Sequence, residues 1–127
     1  MSWQAYVDTN LLGSGACTQA GIYDLAGNPW AYSAGFAAQV AEVAAISAHM
    51  ASDATALAGT GLIIAGEKYM FVRGDADCVV GKKGASGVII YRCNTCCLVA
   101  THDDKIQSGA CNNAVGKLAD FLKENGI

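Results

Sequence analysis

The chain has 127 residues, the length of a single domain, and 53% of them are hydrophobic, although 23 of these are alanine. A net charge of −3 argues against a general nucleic-acid-binding protein, which usually carries a basic excess. The sequence has no run of about 18 strongly apolar residues and no basic-then-apolar leader, so it predicts a cytosolic protein.

The first predicted element is a helix. Trp3, Val7 and Leu11 recur at helical spacing and form one stripe, and Tyr6 lies at the edge of that stripe. The glycines of residues 13–15 are predicted to end this helix.

A β-hairpin is predicted next. Residues 20–25 and 30–33 have strand composition, and residues 26–29 between them are typical of a turn and include the only proline. Two-residue alternation predicts that Trp30 and Tyr32 share one face of the second strand.

The middle of the chain predicts a helix followed by a meander. Valine, isoleucine and methionine spaced by three and four predict a helix over residues 38–50, and residues 52–55 are predicted to cap a short turn. After Gly59, short apolar segments separated by tight turns predict an antiparallel meander. Its predicted strands are residues 62–64, 68–73, 78–80, 88–91 and 97–100. The predicted turns between them are residues 65–67, 74–77, 82–85 and 92–95.

A last helix is predicted over residues 108–125. Its apolar stripe contains Val115, Leu118 and Leu122, and Phe121 lies at the margin of the stripe. The elements together predict an α+β fold, in which one antiparallel sheet buries the apolar stripes of helices on its faces.

The aromatic residues near the two ends suggest a binding surface. If the first and last helices pack side by side, Trp3, Tyr6, Trp30 and Phe121 form one exposed aromatic patch, which would suit an ordered proline-rich peptide. The alternative is that these rings fill the space between two helices and the sheet, because aromatic side chains more often serve cores.

The six cysteines have two interpretations. Reduced thiols are expected in a cytosolic protein, and free cysteine behaves as a small buried hydrophobe. The closely spaced Cys93, Cys96 and Cys97 could instead bind a metal, although no second pair of cysteines completes a four-ligand zinc site and His49 and His102 stand alone.

The charged motifs do not mark a catalytic centre. The segment 81–84, Gly-Lys-Lys-Gly, lacks the spacing of a phosphate-binding loop and predicts a basic hairpin turn. No segment marks one cysteine and one histidine as a nucleophile and its base. Five basic residues in the meander predict either a basic face for an acidic protein partner or a weak contact with anionic lipid, or else a solvated strand face. These residues are Lys68, Arg73, Lys82, Lys83 and Arg92.

The chain resembles the profilins, and specifically the compact profilins of amoebae and other unicellular eukaryotes. The resemblance covers the whole chain, and the opening and closing motifs are specific in combination. The residues that carry it are Ser2-Trp3-Gln4-Ala5-Tyr6-Val7-Asp8, Trp30-Ala31, Gly81-Lys82-Lys83-Gly84, Lys105-Ile106-Gln107 and Lys117-Leu118-Ala119-Asp120-Phe121-Leu122.

The resemblance implies one profilin domain over residues 1–127. Its single antiparallel sheet would have about six or seven strands, with the N- and C-terminal helices on one face and a middle helix on the other. It also implies a site for polyproline. Phe121 stands where the family commonly has Tyr or His, and Ile127 where it commonly has an aromatic residue. The implied polyproline-binding residues are Trp3, Tyr6, Trp30, Phe121, Leu122 and Ile127.

The resemblance further implies a monomeric, non-enzymatic cytoskeletal protein without a cofactor. It would bind monomeric actin, regulate actin polymerisation and nucleotide exchange, bind proline-rich proteins such as formins, and bind anionic phosphoinositides weakly. The implied actin-binding residues are Lys68, Tyr69, Phe71, Arg73, Lys82, Lys83, Arg92, Gln107, Gly109, Asn112, Asn113 and Lys117.

Two alternative functions remain open from the sequence. One is a small cytosolic metal or thiol-redox domain that uses Cys93, Cys96 and Cys97. The other is a small sensory domain that buries a ligand between its sheet and a helix.

Overall fold

The computed structural model describes residues 2–127, and seven strands in this range form one antiparallel sheet in the order β2-β1-β7-β6-β5-β4-β3. The β1–β2 hairpin joins the meander through β1 and β7, where Ile22 lies opposite Leu98. The prediction of six or seven strands is therefore confirmed, with seven. The strands are β1 Gln19–Asp24, β2 Pro29–Tyr32, β3 Leu62–Ile64, β4 Glu67–Gly74, β5 Cys78–Lys83, β6 Ser86–Arg92 and β7 Cys96–His102.

The helices lie before, between and after these strands. The N-terminal helical segment, residues 3–14, begins as α1 (Trp3–Ala5), continues as a π-helix and ends in a 3₁₀ turn at Gly15, whose φ of 75° is left-handed. The π-helical part, Tyr6–Leu11, was not predicted from the spacing. The remaining helices are α2 Val40–Ser52, a 3₁₀ turn Ala54–Ala56, α3 Leu57–Thr60 and α4 Ser108–Glu124.

The sheet has a hydrophobic core on each face. On the α4 face, the N-terminal helical segment and α4 cover a core that includes Val7, Ile22 and Leu118. On the α2 face, α2 covers a second core that includes Ile46 and Ile90. This arrangement confirms the predicted placement of the terminal helices on one face and the middle helix on the other.

The basic turn predicted at residues 82–85 is shorter than expected. Lys82 and Lys83 continue strand β5, because Lys83 pairs with Ser86 and leaves a two-residue loop in which Gly84 has a φ of 61°. Since side chains alternate along a strand, the two lysines point to opposite faces of the sheet.

Strand β4 contains a bulge that changes the direction of one side chain. Phe71 lies opposite Gly81 and Arg73 lies opposite Val80, so Val72 is the extra residue. Without the bulge, Arg73 would share a face with Phe71. With it, Arg73 lies on the α4 face, where Val80 belongs to the core.

No helix within residues 2–127 combines the length and apolar character needed to cross a membrane.

Candidate functional site

The aromatic patch predicted from the sequence is assembled in the structure. The ring centroids of Trp3 and Trp30 are 4.8 Å apart, those of Trp3 and Tyr6 are 5.7 Å apart, and those of Tyr6 and Phe121 are 6.1 Å apart. These distances lie in the range of favourable aromatic contacts. Residues from two helices and one strand therefore form a continuous row of four rings.

The patch is partly open to solvent. Phe121 is 47% exposed, and Trp3, Tyr6 and Trp30 are half-buried against the α4-face core. The row thus combines the two alternatives raised by the sequence, because the inner edges of the rings pack on the core and the outer parts stay accessible.

Polar contacts hold the first helix against strand β2. The side-chain amide of Gln4 donates to Asp8 Oδ1 at 3.0 Å and to the carbonyl of Tyr32 at 3.1 Å. The Ser2 hydroxyl accepts a hydrogen bond from the Ala5 amide and caps the helix. Gln4 therefore fixes the helix that carries Trp3 and Tyr6 relative to the strand that carries Trp30.

Leu122 and Ile127, the other two residues predicted for the peptide site, lie outside the row of four rings. Leu122 is completely buried in the α4-face core, so the prediction that its side chain contacts a ligand is wrong. Its position in the stripe with Val115 and Leu118 already indicated a core residue. Ile127 is half-buried on the same core; its amide donates to the Leu122 carbonyl and its carbonyl accepts from the Asn94 amide, both at 2.9 Å.

A second surface lies on the α4 face, beyond the area that the helices cover. Met70 is 76% exposed and Val72 is 53% exposed. Lys82 lies directly opposite Met70, and the bulge places Arg73 on the same face. The surface thus combines two exposed apolar side chains with two cations.

The predicted apolar contacts of this surface need correction. Tyr69 is only 7% exposed, and both Tyr69 and Phe71 pack with the α2-face core. Both side chains therefore lie on the opposite face of the sheet from Met70 and Lys82. Alternation puts Met70 and Val72 on the face opposite Tyr69 and Phe71. Because aromatic residues are buried in cores more often, the sequence could have indicated that Met70 and Val72 are the exposed pair.

Two predicted basic residues also belong to the α2 face. Lys83 forms an ion pair with Glu67, and Arg92 lies opposite the buried Cys97 of the α2-face core. The structure therefore divides the predicted basic face between the two sides of the sheet. Lys83 and Arg92 do not extend the surface around Lys82.

The start of α4 is continuous with the strand surface. A cavity of about 520 Å³ is lined by Val72 and Lys82 from the strands and by Gln107 and Ser108 from the beginning of α4. The next residue, Gly109, is exposed. These positions agree with a single surface formed from strands and helix.

Asn112 anchors α4 to the sheet. The Tyr91 hydroxyl donates to Asn112 Oδ1 at 2.5 Å, and burial raises the pKa of Tyr91 to about 12. Asn113 follows Asn112 directly, Lys117 lies about one turn beyond Asn113, and both line a separate groove with Phe121. The groove connects the aromatic patch with the residues at the start of α4.

The closely spaced cysteines do not converge on one site. Cys93 and Cys96 belong to the α4-face core, whereas Cys97 belongs to the α2-face core. The three thiols therefore cannot bind one metal ion together, and within residues 2–127 no three His, Cys, Asp or Glu side chains are grouped as metal ligands. Cys93, Cys96 and Cys97 therefore do not form the ligand set on which the metal-binding alternative depended.

Comparison with known proteins gives a consistent result. The family model described as Profilin matches residues 1–127. Profilin-2 of Acanthamoeba castellanii is 48% identical over all of both chains, and Profilin-2 of Dictyostelium discoideum is 48% identical over 98% of each. The crystal structure of Acanthamoeba castellanii profilin II has a TM-score of 0.95 and 47% identity, covering 99% of this chain and 100% of that one. Mouse profilin IIa, solved in complex with a double repeat from the FH1 domain of mDia1, shares the fold at 22% identity and a TM-score of 0.81, with both chains fully covered.

Proposed function

Because this chain belongs to the profilin family, we propose that it binds monomeric actin on its α4 face and proline-rich segments on its aromatic patch. It would thereby regulate actin polymerisation in the cytoplasm. The observation that carries the proposal is the accessible row of four rings, which connects the first helix, β2 and α4.

The aromatic patch fits an extended proline-rich ligand. Such a segment adopts the polyproline II conformation before it binds, so little conformational entropy is lost on a rigid surface. The rings are held by core packing below and by Gln4 at the side. A preorganised row therefore supports binding without rearrangement of either partner.

The second surface supports binding of an acidic protein. Arg73 and Lys82 would attract acidic actin, while Met70 and Val72 would supply apolar contacts after docking. Faster nucleotide exchange requires no catalytic group. Preferential binding to an actin conformation with a more open nucleotide cleft would shift the population towards that conformation.

The two surfaces use different parts of the molecule. The aromatic patch uses residues of the first helix, β2 and the end of α4, whereas the actin surface uses β4, β5 and the start of α4. We therefore propose that both partners bind at the same time. This property would let the protein deliver actin monomers to partners that contain proline-rich segments.

Weak phosphoinositide binding stays a prediction. Lys82 and Lys83 point to opposite faces, and Lys123 lies 3.5 Å from the Asp77 carboxylate. The structure therefore offers dispersed basic residues for this ligand.

The proposal is tested with two binding measurements on the same variants. Titration calorimetry measures the affinity for a proline decamer, and inhibition of spontaneous actin assembly measures the affinity for monomeric actin. Trp3→Ala should weaken peptide binding at least tenfold, because it removes one of the two inner rings of the row, and should leave actin binding unchanged. Lys82→Glu should weaken actin binding and leave peptide binding unchanged.

Val40→Ala is the matched control. Val40 is 47% exposed, as Phe121 is, but it lies at the start of α2 on the other side of the sheet. This variant should keep both affinities. Unchanged peptide affinity in Trp3→Ala would refute the assignment of the aromatic patch, and unchanged actin affinity in Lys82→Glu would refute that of the α4 face.

A further inference from the structure

Two cysteines far apart in the sequence lie next to each other in the α4-face core. The Sγ atoms of Cys17 and Cys111 are 3.7 Å apart, although the residues are separated by 94 positions. Cys17 lies between the N-terminal helical segment and β1, and Cys111 lies in the first turn of α4. We propose that this pair is an oxidant-sensitive modification site, which a hydroperoxide converts into a disulfide linking the start of β1 to the start of α4.

The geometry brings the two sulfurs close to bonding distance. A disulfide bond is about 2 Å long, so the sulfurs must approach by about 1.7 Å, the difference from 3.7 Å. The first turn of α4 follows the loop of residues 103–107 and includes exposed Gly109, so this turn can move towards the strand more easily than a central strand could.

The two thiols have unequal roles. Cys17 is 6% exposed, whereas Cys111 is completely buried, so Cys17 is the thiol that an oxidant reaches first. A hydrogen bond from Cys111 lowers the pKa of Cys17, which favours the nucleophilic thiolate. The groove of about 450 Å³ between residues 10–16 and α4 is lined by Ala16 and Ala110, the neighbours of the two cysteines in the sequence. It offers a small oxidant an approach to the pair.

The reaction balances with one hydroperoxide. The Cys17 thiolate attacks the peroxide oxygen, an S–O bond forms, the O–O bond breaks, and the leaving oxygen takes a proton to give water or an alcohol. Cys111 then attacks the sulfenic sulfur of Cys17, the S–S bond forms, and the S–O bond breaks with release of a second water. The two sulfurs lose two electrons in total, and the peroxide gains them.

The disulfide would have two structural consequences. It would close a loop of 94 residues and restrict the unfolded chain, which raises stability. It would also fix the first two turns of α4, which carry Gly109, Asn112 and Asn113. This second consequence rests on the proposed function, because these residues belong to the proposed actin surface, whereas formation of the disulfide does not.

The site is tested by treating the folded protein with hydrogen peroxide, blocking the remaining thiols and mapping the peptides without reduction. We expect two of the six thiols to be lost and one cross-linked peptide pair containing Cys17 and Cys111. Cys17→Ser and Cys111→Ala should each abolish the cross-link. Cys78→Ser, a half-buried cysteine outside the pair, should keep it.

Two physical readouts accompany the mapping. The oxidised protein should unfold at a higher temperature than the reduced protein, and reduction should reverse the shift. Amide exchange in the first turn of α4 should slow down in the oxidised protein, a change that both single variants lack.

Three outcomes would overturn the inference. They are a cross-link between Cys93 and Cys96 instead, oxidation of Cys17 to sulfinic acid without a cross-link, and formation of the Cys17–Cys111 bond only in denaturant. None of them depends on actin or proline binding, so this failure is distinct from a failure of the proposed function. If the bond forms but actin affinity stays the same, the effect on the actin surface is refuted.

Discussion

At the proposed peptide site, we expect single side chains at the edge of the aromatic patch to set the affinity for a proline-rich peptide. Phe121 contributes a ring that is 47% exposed and lies 6.1 Å from Tyr6, but it has no hydroxyl to donate a hydrogen bond. A tyrosine at this position would keep the stacking surface and add a donor for a peptide carbonyl. One such hydrogen bond contributes about 1 kcal/mol.

Phe121→Tyr should therefore bind a proline decamer about fivefold more tightly than the unmodified protein, the equivalent of about 1 kcal/mol. The double variant Phe121→Tyr, Ile127→Tyr should bind more tightly still, because the second change replaces a half-buried aliphatic side chain with another ring. Titration calorimetry measures both. Tighter binding by the unmodified protein than by the double variant would contradict the prediction.

Pairs of elements are positioned by close backbone contacts as well as by side chains. Gly27, in the turn between β1 and β2, has a φ of 91°, and a Cβ there would overlap the carbonyl oxygen of Val40 at the start of α2. The hairpin that carries Trp30 thus touches the helix on the α2 face through a glycine. By contrast, Gly84 between β5 and β6 has a φ of 61° and open space around it.

Gly27→Ala should destabilise the fold by about 3 kcal/mol, because a left-handed residue and a backbone clash add together. Gly84→Ala is the matched control and should cost about 1 kcal/mol, since only the left-handed conformation opposes it. Urea unfolding measures both free energies. Equal losses in the two variants would show that the contact with α2 contributes nothing.

The elements themselves could be predicted from local patterns. All seven strands and the middle and last helices lie where apolar periodicity and turn residues indicated, because each period matches a face of the sheet or helix that is buried. The meeting of Trp3 with Trp30 depends on tertiary packing and followed only from the assumption that the helices lie side by side.

Other features of the site could not be obtained from local patterns. Alternation correctly puts Tyr69 and Phe71 on one face, but it does not say that this face is the inner one. The bulge that separates Arg73 from Phe71 leaves no mark in composition. The π-helical part of the first helix likewise has the same apolar spacing as an α-helix over Val7 and Leu11.

Across the whole molecule, carboxylates in turns connect stability to pH. Backbone amide donors, chiefly that of Asn28, lower the pKa of Asp24, and the amides of Asp77 and Cys78 lower that of Asp75. The hydroxyl and amide of Thr55 lower the pKa of Asp53. These carboxylates therefore bind protons less readily in the folded protein than in the unfolded chain, where the ordinary pKa of an aspartate is 3.8.

The sign of the effect follows from proton linkage. A lowered pKa contributes stability above the unfolded value, and this contribution is lost as the pH falls through the folded value. The melting temperature should hence fall as the pH decreases from about 4 towards 2. Asp24→Asn should make this decrease shallower, whereas Asp104→Asn, at an exposed residue that accepts no hydrogen bond among residues 2–127, should leave it unchanged. If Asp24→Asn leaves the dependence of melting temperature on pH unchanged, the turn at Asp24 does not contribute to it.

The extra residue in β4 makes the pairing of that strand a determinant of surface charge. Regular pairing of the whole strand, with Val72 kept, would turn Arg73 towards Phe71 and the α2-face core, where a guanidinium would be desolvated without a partner. Deleting Val72, by contrast, would remove the bulge and leave Arg73 opposite Val80 on the α4 face. A lineage that kept this strand length but lost the bulge would therefore need an apolar residue at position 73, and a cation for the proposed acidic partner would have to arise on another strand.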